Sequence, residues 1–374
     1  MENITKSYGI LESLRLKNNL YLASSSSDYN YVWLRDSFYE VLPYLDKDTD
    51  HYQTTYQAIL DIFRTYAWKI SIHSIKKPET THQYIHPRYT AAGLEVDAEW
   101  GNCQHDAAGA VLFGIALGEE HGKRIIRDAE DFAIIQDLVF YLETCQYWQD
   151  PDNGMWEEGR EVHASSIGAC VAGLRKVKEV FPETIVVSQS AIDKGVKALK
   201  DIFPRESESK PVDLAQLSLI FPYNVLDPDE AAYVIKRVES KLLRKNGVIR
   251  YEGDSYYFSQ DDEDRSKPKE HYYGSEAEWT FGLPWLSLCH LQMGNFFDAV
   301  RYSRITEKKM VEGGKLPELY FAGTDDYNKN TPLGWSNALY ILSREKYMDE
   351  FDGLGITPET KSESIFSKIM SKIR

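Results

Sequence analysis

Apolar residues recur at helical spacing along most of the chain. Between His51 and Ile72 the positions Tyr56, Ile59, Ile62, Phe63, Tyr66 and Ile70 fall on one face, and between Ala129 and Trp148 the same holds for Phe132, Ile135, Val139, Leu142 and Cys145. This period predicts further helices over residues 5–16, within Tyr29–Leu45, and over Ala107–Leu117, Ser165–Val180, Ser188–Ile202 and Asp213–Ile220. Asp227-Pro-Asp-Glu, with an acidic first turn and Pro at its start, opens another that runs through Leu243. Trp279–Leu291, Phe296–Met310, Leu333–Leu342 and Glu363–Ile373 complete the set. Strand alternation is almost absent, so the expected fold class is all-α. The stretch Lys76–Glu99 is broken by Pro and Gly and reads as irregular, and Gly247–Asp254 reads as a loop or short hairpin. Gln260–Glu270 has no large apolar residue to anchor it and is the candidate for a mobile excursion.

Six of the predicted helices follow a loop that holds Trp, Pro, Arg or carboxylates; they begin near Asp36, Asp106, Ala164, Asp213, Trp279 and Leu333. Each alternates with a helix preceded by a plainer loop. Such a recurrence, every 50 to 70 residues or roughly so, suits six stacked helical hairpins closed into a ring, and suits an irregular helical array as well.

With 374 residues and 43% hydrophobic content, the chain can bury a large core. The formal net charge of −15 disfavours nucleic acid and anionic lipid as partners and leaves a neutral ligand such as a sugar open. Eight Trp and 25 Tyr are generous for a core and would suit a pocket that stacks on flat apolar faces, although Trp and Tyr are mostly core and boundary residues. Cys103, Cys145, Cys170 and Cys289 lie far apart with no Cys-x-x-Cys or Cys/His cluster, so neither a metal site nor a disulfide frame is expected, and no cofactor is implied. No run approaches 18 apolar residues, and the first residues lack the charged and apolar regions of a signal peptide. The expectation is a soluble protein of the reducing cytoplasm, without membrane partners; nothing in the sequence predicts its oligomeric state.

Candidate chemistry concentrates in two loops. Asp150-Pro-Asp-Asn-Gly-Met-Trp156-Glu157-Glu158-Gly159 is a turn-rich stretch that leads into the apolar run Ala164–Leu174. Its acids read either as a first turn stabilised by the helix dipole or, for Glu157, as a proton donor whose charged form is disfavoured against an indole face. Glu158 is the alternative donor. Far along the chain, Lys315-Leu-Pro-Glu318 places a third carboxylate on a loop before the run Leu333–Leu342.

Read together, these loops resemble glycoside hydrolase family 15, the glucoamylase family. The matching pieces are Trp33-Leu-Arg35-Asp36, Trp100-Gly-Asn-Cys-Gln104-His-Asp106, Trp156-Glu157-Glu158, Arg250-Tyr251-Glu-Gly-Asp254, and Gly314-Lys-Leu-Pro-Glu318 followed by Thr331-Pro-Leu-Gly-Trp335-Ser336. The resemblance implies a single-domain (α/α)6 barrel over residues 1–374, without the N-terminal β-sandwich of bacterial members and without a starch-binding module. It implies an inverting, exo-acting hydrolase of short α-gluco-oligosaccharides, with Glu157 as general acid and Glu318 as general base. Arg35, Asp36 and Arg250 would bind the terminal glucose, Trp100 would line the neighbouring subsite, and Trp156 and Glu158 would complete the sugar-binding set. Each of these residues also has a structural reading: Arg35 and Asp36 as a local ion pair, Arg250 as surface, Trp100 as core. An inverting glycosidase needs one protonated and one ionised carboxyl on opposite faces of the sugar, about 6.5–9.5 Å apart.

The middle of the chain, from Ile135 through Ala164-Ser-Ser-Ile-Gly168 to Phe221-Pro222, is also similar to the glucoamylase-like region of phosphorylase kinase α and β subunits. That likeness implies a non-catalytic regulatory or oligosaccharide-binding module as the alternative. A phosphorolytic enzyme on the same architecture is a third possibility. The chain departs from the usual pattern in carrying two Tyr-Tyr pairs, Tyr256-Tyr257 and Tyr272-Tyr273, separated by the polar segment.

Overall fold

The computed structural model describes residues 2–260 and 266–353, the last three by backbone alone. The predicted helix Glu363–Ile373 and part of the segment Gln260–Glu270 lie outside the described residues. Twelve α-helices are present among those described. In chain order they are α1 (Glu2–Leu14), α2 (Leu34–Val41), α3 (His51–Thr65), α4 (Ala67–His73), α5 (His105–Glu120), α6 (Ala129–Cys145), α7 (Ala164–Val180), α8 (Gln189–Ile202), α9 (Pro228–Lys241), α10 (Gly282–Gln292), α11 (Phe296–Glu307) and α12 (Gly334–Gly353).

Two rings form. The inner one runs α2, α5, α7, the 3-10 helix Leu214–Leu219, α10, α12 and back to α2, each packed on the next. The outer helices α1, α3 with α4, α6, α8, α9 and α11 alternate with them along the chain. Burial follows this division. All eight residues of α2 are buried, the polar Arg35, Asp36, Ser37 and Glu40 among them, whereas α9 buries only Ala231, Val234, Ile235 and Val238, one stripe at helical spacing. The closest inner contact is α5 on α7. A Cβ on Gly173 would lie 2.5 Å from the Gly109 carbonyl oxygen, and one on Gly109 would lie 2.6 Å from the Ala169 carbonyl carbon, so two glycines let these backbones touch. Three of the outer helices start on side-chain caps: Asp128 on α6, Ser188 on α8, and Asp227 with Glu230 as a capping box on α9.

Three expectations change in detail. Asp213–Ile220 is a 3-10 helix, a short run held between the Asp213 cap and Pro222, whose missing N–H ends it. His51–Ile72 is two helices broken at Tyr66, whose hydroxyl instead accepts the Glu95 backbone N–H at 2.8 Å. The chain also contains strands that alternation did not reveal, because each has only two or three residues. β1 (Tyr31–Trp33) pairs antiparallel with β2 (Arg88–Thr90), placing Arg88 opposite Trp33, and β3 (Glu278–Trp279) pairs with β4 (Leu319–Tyr320). These strands brace the loops at the end of the barrel where α2, α5, α7, α10 and α12 begin. Among the described residues no helix is long and apolar enough to cross a membrane.

Candidate active site

The inner helices open at that end into a cavity of about 510 Å³. It brings together every residue proposed from the sequence: Arg35, Asp36, Trp100, Trp156, Glu157, Glu158, Arg250 and Glu318 all line it.

Glu157 stands on a turn that requires left-handed backbone at two positions, Gly154 (φ +63°) and Glu157 itself (φ +61°). A non-glycine residue there is strained, and the strain is held by the loop's anchors. His105 N–H donates to Asp152 at 3.0 Å, Asn153 N–H donates to the Cys103 carbonyl at 2.7 Å, and Asp152 and Asp150 pair with His163 and His105 at 2.8 and 3.0 Å. Burial disfavours the His163 cation, but the Asp152 carboxylate more than offsets this and pushes its pKa up to about 9. The consequence for stability has a definite sign. With the folded pKa above the unfolded value, this pair stabilises the fold fully below about pH 6.5 and is lost as pH rises through 9. Thermal unfolding followed from pH 6 to 10 is expected to show this loss, on the order of 2 to 3 kcal/mol, and His163→Gln is expected to flatten it.

Cys103 Sγ, His105 Nε2 and an Asp150 oxygen lie within 4.8 Å of one another, all buried, a set that spacing along the chain did not show. Their contacts are those of a loop anchor: His105 binds one Asp150 oxygen, Lys77 donates to the other at 2.6 Å, and the Cys103 thiol faces the Pro151 carbonyl.

The indole that engages Glu157 is that of Trp33, not the adjacent Trp156. Trp33 Nε1–H donates to Glu157 Oε1 at 2.8 Å, and Arg35 Nη2 lies 3.5 Å from the same oxygen. Trp156 turns its N–H to Asp213 at 2.8 Å and presents its ring to the cavity beside Trp279 and Phe281. Glu158 faces a different environment. Lys210 (2.6 Å), Arg250 (3.0 Å) and the Tyr251 hydroxyl (2.8 Å) all donate to it, and although burial opposes its charge, these cations hold its pKa below the usual value. It is a carboxylate at neutral pH.

Glu318 is 1% exposed. Its Oε1 accepts from Tyr29 OH at 2.5 Å, and its Oε2 accepts from the amides of Asn330, at 2.7 Å, and Asn328. Burial raises its pKa and the three donors oppose that rise. Asp36 lies on the first turn of α2 with no side-chain donor among the described residues. Burial raises its pKa to about 7, Arg35 opposes, and the charges of Glu157 and Glu318 push further upward. The local Arg35–Asp36 ion pair is therefore not the main contact of Arg35, which donates to Asp106 at 2.7 Å and Gln104 at 3.2 Å. Arg250 is buried, not a surface residue, and is clamped by Asp254 at 2.6 and 2.7 Å; Trp100 is a rim residue at 37% exposure, not core.

A family model described as glycosyl hydrolases family 15 matches residues 20–350. The chain belongs to that family. Among the relatives of this family 15 chain, the probable phosphorylase b kinase regulatory subunit alpha of Caenorhabditis elegans is 28% identical over 359 residues, covering 83% of this chain. This chain spans only 28% of that relative's length. Solved structures of like fold include a glycosidase variant in complex with glucose (TM-score 0.77, 18% identity, 93% of this chain and 96% of that one). The glucoamylase of Saccharomycopsis fibuligera is another (TM-score 0.65, 13% identity, 93% and 94%). The six-hairpin ring is thus shared with glycosidases.

Several cavity residues escaped the reading of the sequence. Tyr29 opens the stretch that carries the Trp33 motif, and Arg88 lies in a stretch that reads as irregular; Asn328 and Asn330, which hold Glu318 from behind the cavity wall, sit in a polar loop, and none has a periodic signal. Of the two Tyr-Tyr pairs, the first belongs to the cavity: Tyr256 OH lies 3.1 Å from Tyr29 OH and its ring stacks on Trp279, whereas Tyr272 is buried away from it and Tyr273 is exposed. The described end of the polar segment approaches the same side, with Lys269 Nζ 5.2 Å from the Tyr251 ring centroid.

Proposed function

We propose that the protein is an inverting, exo-acting α-glucoside hydrolase that releases glucose from the non-reducing ends of short α-gluco-oligosaccharides, with Glu157 as general acid and Glu318 as general base. The observation that carries this reading is the unequal dressing of three carboxylates around one cavity. Glu158 is paired with Lys210 and Arg250 and accepts from the Tyr251 hydroxyl, which argues against it as the proton donor. Glu157 receives both Trp33 and Arg35 on Oε1, which leaves Oε2 as the oxygen able to carry the proton for the leaving group. Glu318 is surrounded by donors suited to an anion, as a base that takes a proton from water must be. Asp36, Arg35 and Arg250 at the buried end would take the hydroxyls of the terminal glucose, which admits a chain end and excludes attack within a chain. The proposed domain is residues 1–374, and the proposed partner is a small carbohydrate met in the cytoplasm, with no cofactor.

A second reading is supported by the kinase regulatory subunits among the relatives: a module that binds an oligosaccharide or a protein without cleaving it. One assay separates the two. Purified protein is incubated with maltose, isomaltose, trehalose and maltodextrin, with and without phosphate, and the anomer released is followed by NMR. The hydrolase reading expects β-glucose from at least one disaccharide without phosphate, and kcat/KM that does not climb steeply with chain length. No release from any substrate refutes it in favour of the binding module, α-glucose contradicts inversion, and strict dependence on phosphate points to phosphorolysis.

A further inference from the structure

Among the described residues four cations border this cavity or its wall, and three are already paired. Arg35 is taken up by Asp106, Gln104 and Glu157, Arg250 by Asp254 and Glu158, and Lys210 by Glu158. Arg88 is the exception. It is 8% exposed and lines the cavity, yet no carboxylate or carbonyl among the described residues accepts a hydrogen bond from its guanidinium, and its Nε is buried without a partner. Burial accordingly lowers its pKa, opposed by the field of Glu157 and by Tyr31.

Aromatic faces hold this group in place. The guanidinium carbon lies 3.7 Å from the Trp100 ring centroid, 4.7 Å from that of Tyr31 and 5.6 Å from that of Trp33. Such contacts orient a cation and recover part of its desolvation, but they use none of its five N–H donors. A buried guanidinium that is rigidly stacked and has its donors unspent is costly in the free protein and suited to a ligand that supplies oxygen acceptors. Its place along the cavity says which part of the ligand. The β1–β2 pairing sets Arg88 directly across from Trp33, whose indole N–H holds Glu157, so the guanidinium lies on the acid's side of the site. Trp100, stacked on it, is at the rim. Whatever receives the proton from Glu157 and extends toward the mouth must pass along Arg88.

We infer that Arg88 is the specificity residue for the second sugar, donating through its free N–H groups to hydroxyls of the leaving-group unit while Trp100 and Tyr31 fix its plane. This rests on the hydrolase reading above and names the part of the substrate that the cavity recognises beyond the first glucose. The position is consistent with the short substrates proposed above, since one stacked guanidinium beneath the rim serves one further sugar.

The test compares two substrates in Arg88→Met, which keeps a long apolar side chain against the rings. One is the disaccharide the wild type cleaves best; the other is α-glucosyl fluoride, which has the same first sugar and no second one. For the disaccharide kcat/KM is expected to fall about 10- to 100-fold, mainly through KM, the range of a lost charge-assisted hydrogen bond or two. For the fluoride it is expected to stay within about twofold. Arg88→Lys should fall between the two proteins. Equal losses on both substrates, or no loss on either, overturn the proposal; the first outcome would make Arg88 a support of Glu157 or of the fold. If the wild type cleaves neither substrate the hydrolase reading fails by itself, and calorimetric titration then decides. Wild type should bind maltose more tightly than glucose, and Arg88→Met should lose that difference; an unchanged difference, or no sugar binding at all, overturns it.

Discussion

Glu157→Gln and Glu318→Gln are each expected to lower disaccharide turnover by about 10³-fold or more, because neither amide can give up or take the required proton. The two variants should then part company on α-glucosyl fluoride. Fluoride leaves without protonation, so Glu157→Gln is expected to regain most of its rate on that substrate. Glu318→Gln must still activate water and should stay inactive. Folding should survive in both. The glutamine at 157 keeps an acceptor oxygen for Trp33, and at 318 it can still accept from Tyr29, so unfolding midpoints are expected near that of the parent. Steady-state kinetics with both substrates, alongside circular dichroism, read these outcomes. Full activity in either variant refutes the assignment, and Glu158→Gln losing disaccharide turnover but keeping the fluoride reaction, while Glu157→Gln retains disaccharide activity, would exchange the two acids.

Arg35→Met is expected to lose stability as well as activity. The guanidinium is 5% exposed and stands between Asp106, itself 2% exposed, and Glu157. Its removal leaves Asp106 buried with no cation and with Oδ1 already unpartnered, a cost of about 3 to 5 kcal/mol. Chemical denaturation should show that drop directly. The double variant Arg35→Met, Asp106→Leu removes both charges from the interior and is expected to recover much of the stability without recovering turnover, because Asp36 and Glu157 still lack their cation. A single variant as stable as the parent would show that the pair contributes nothing to the fold. A double variant with restored turnover would remove Arg35 from the site.

The loops that carry chemistry were legible because residue types at short spacing constrain it strongly: Trp33-Leu-Arg35-Asp36, Trp156-Glu157-Glu158 and Leu316-Pro317-Glu318 each combine groups that rarely serve packing alone. The helices were legible for a different reason. Outer helices such as α9 bury one stripe and expose the rest, and α2 keeps the same period although its polar residues are buried toward the site rather than exposed.

What local sequence by itself determined, then, is the set of helices, their alternation between plain and chemically loaded loops, and the identity of the carboxylates and arginines that converge. Tertiary structure alone decided how those groups are partnered. Glu157 and Glu158 are adjacent in sequence and equivalent by composition, yet one meets Trp33 and Arg35 while the other meets Lys210, Arg250 and Tyr251, because the left-handed turn at Glu157 sends the two side chains to different walls. The pairing of Arg35 and Arg250 with carboxylates and the lack of one, among the described residues, at Arg88 have the same origin. Whether a buried charge is spent or available depends on which residues lie within a few ångströms across the ring, and those neighbours come from loops tens to hundreds of residues away, a distance over which no periodicity in the chain carries information.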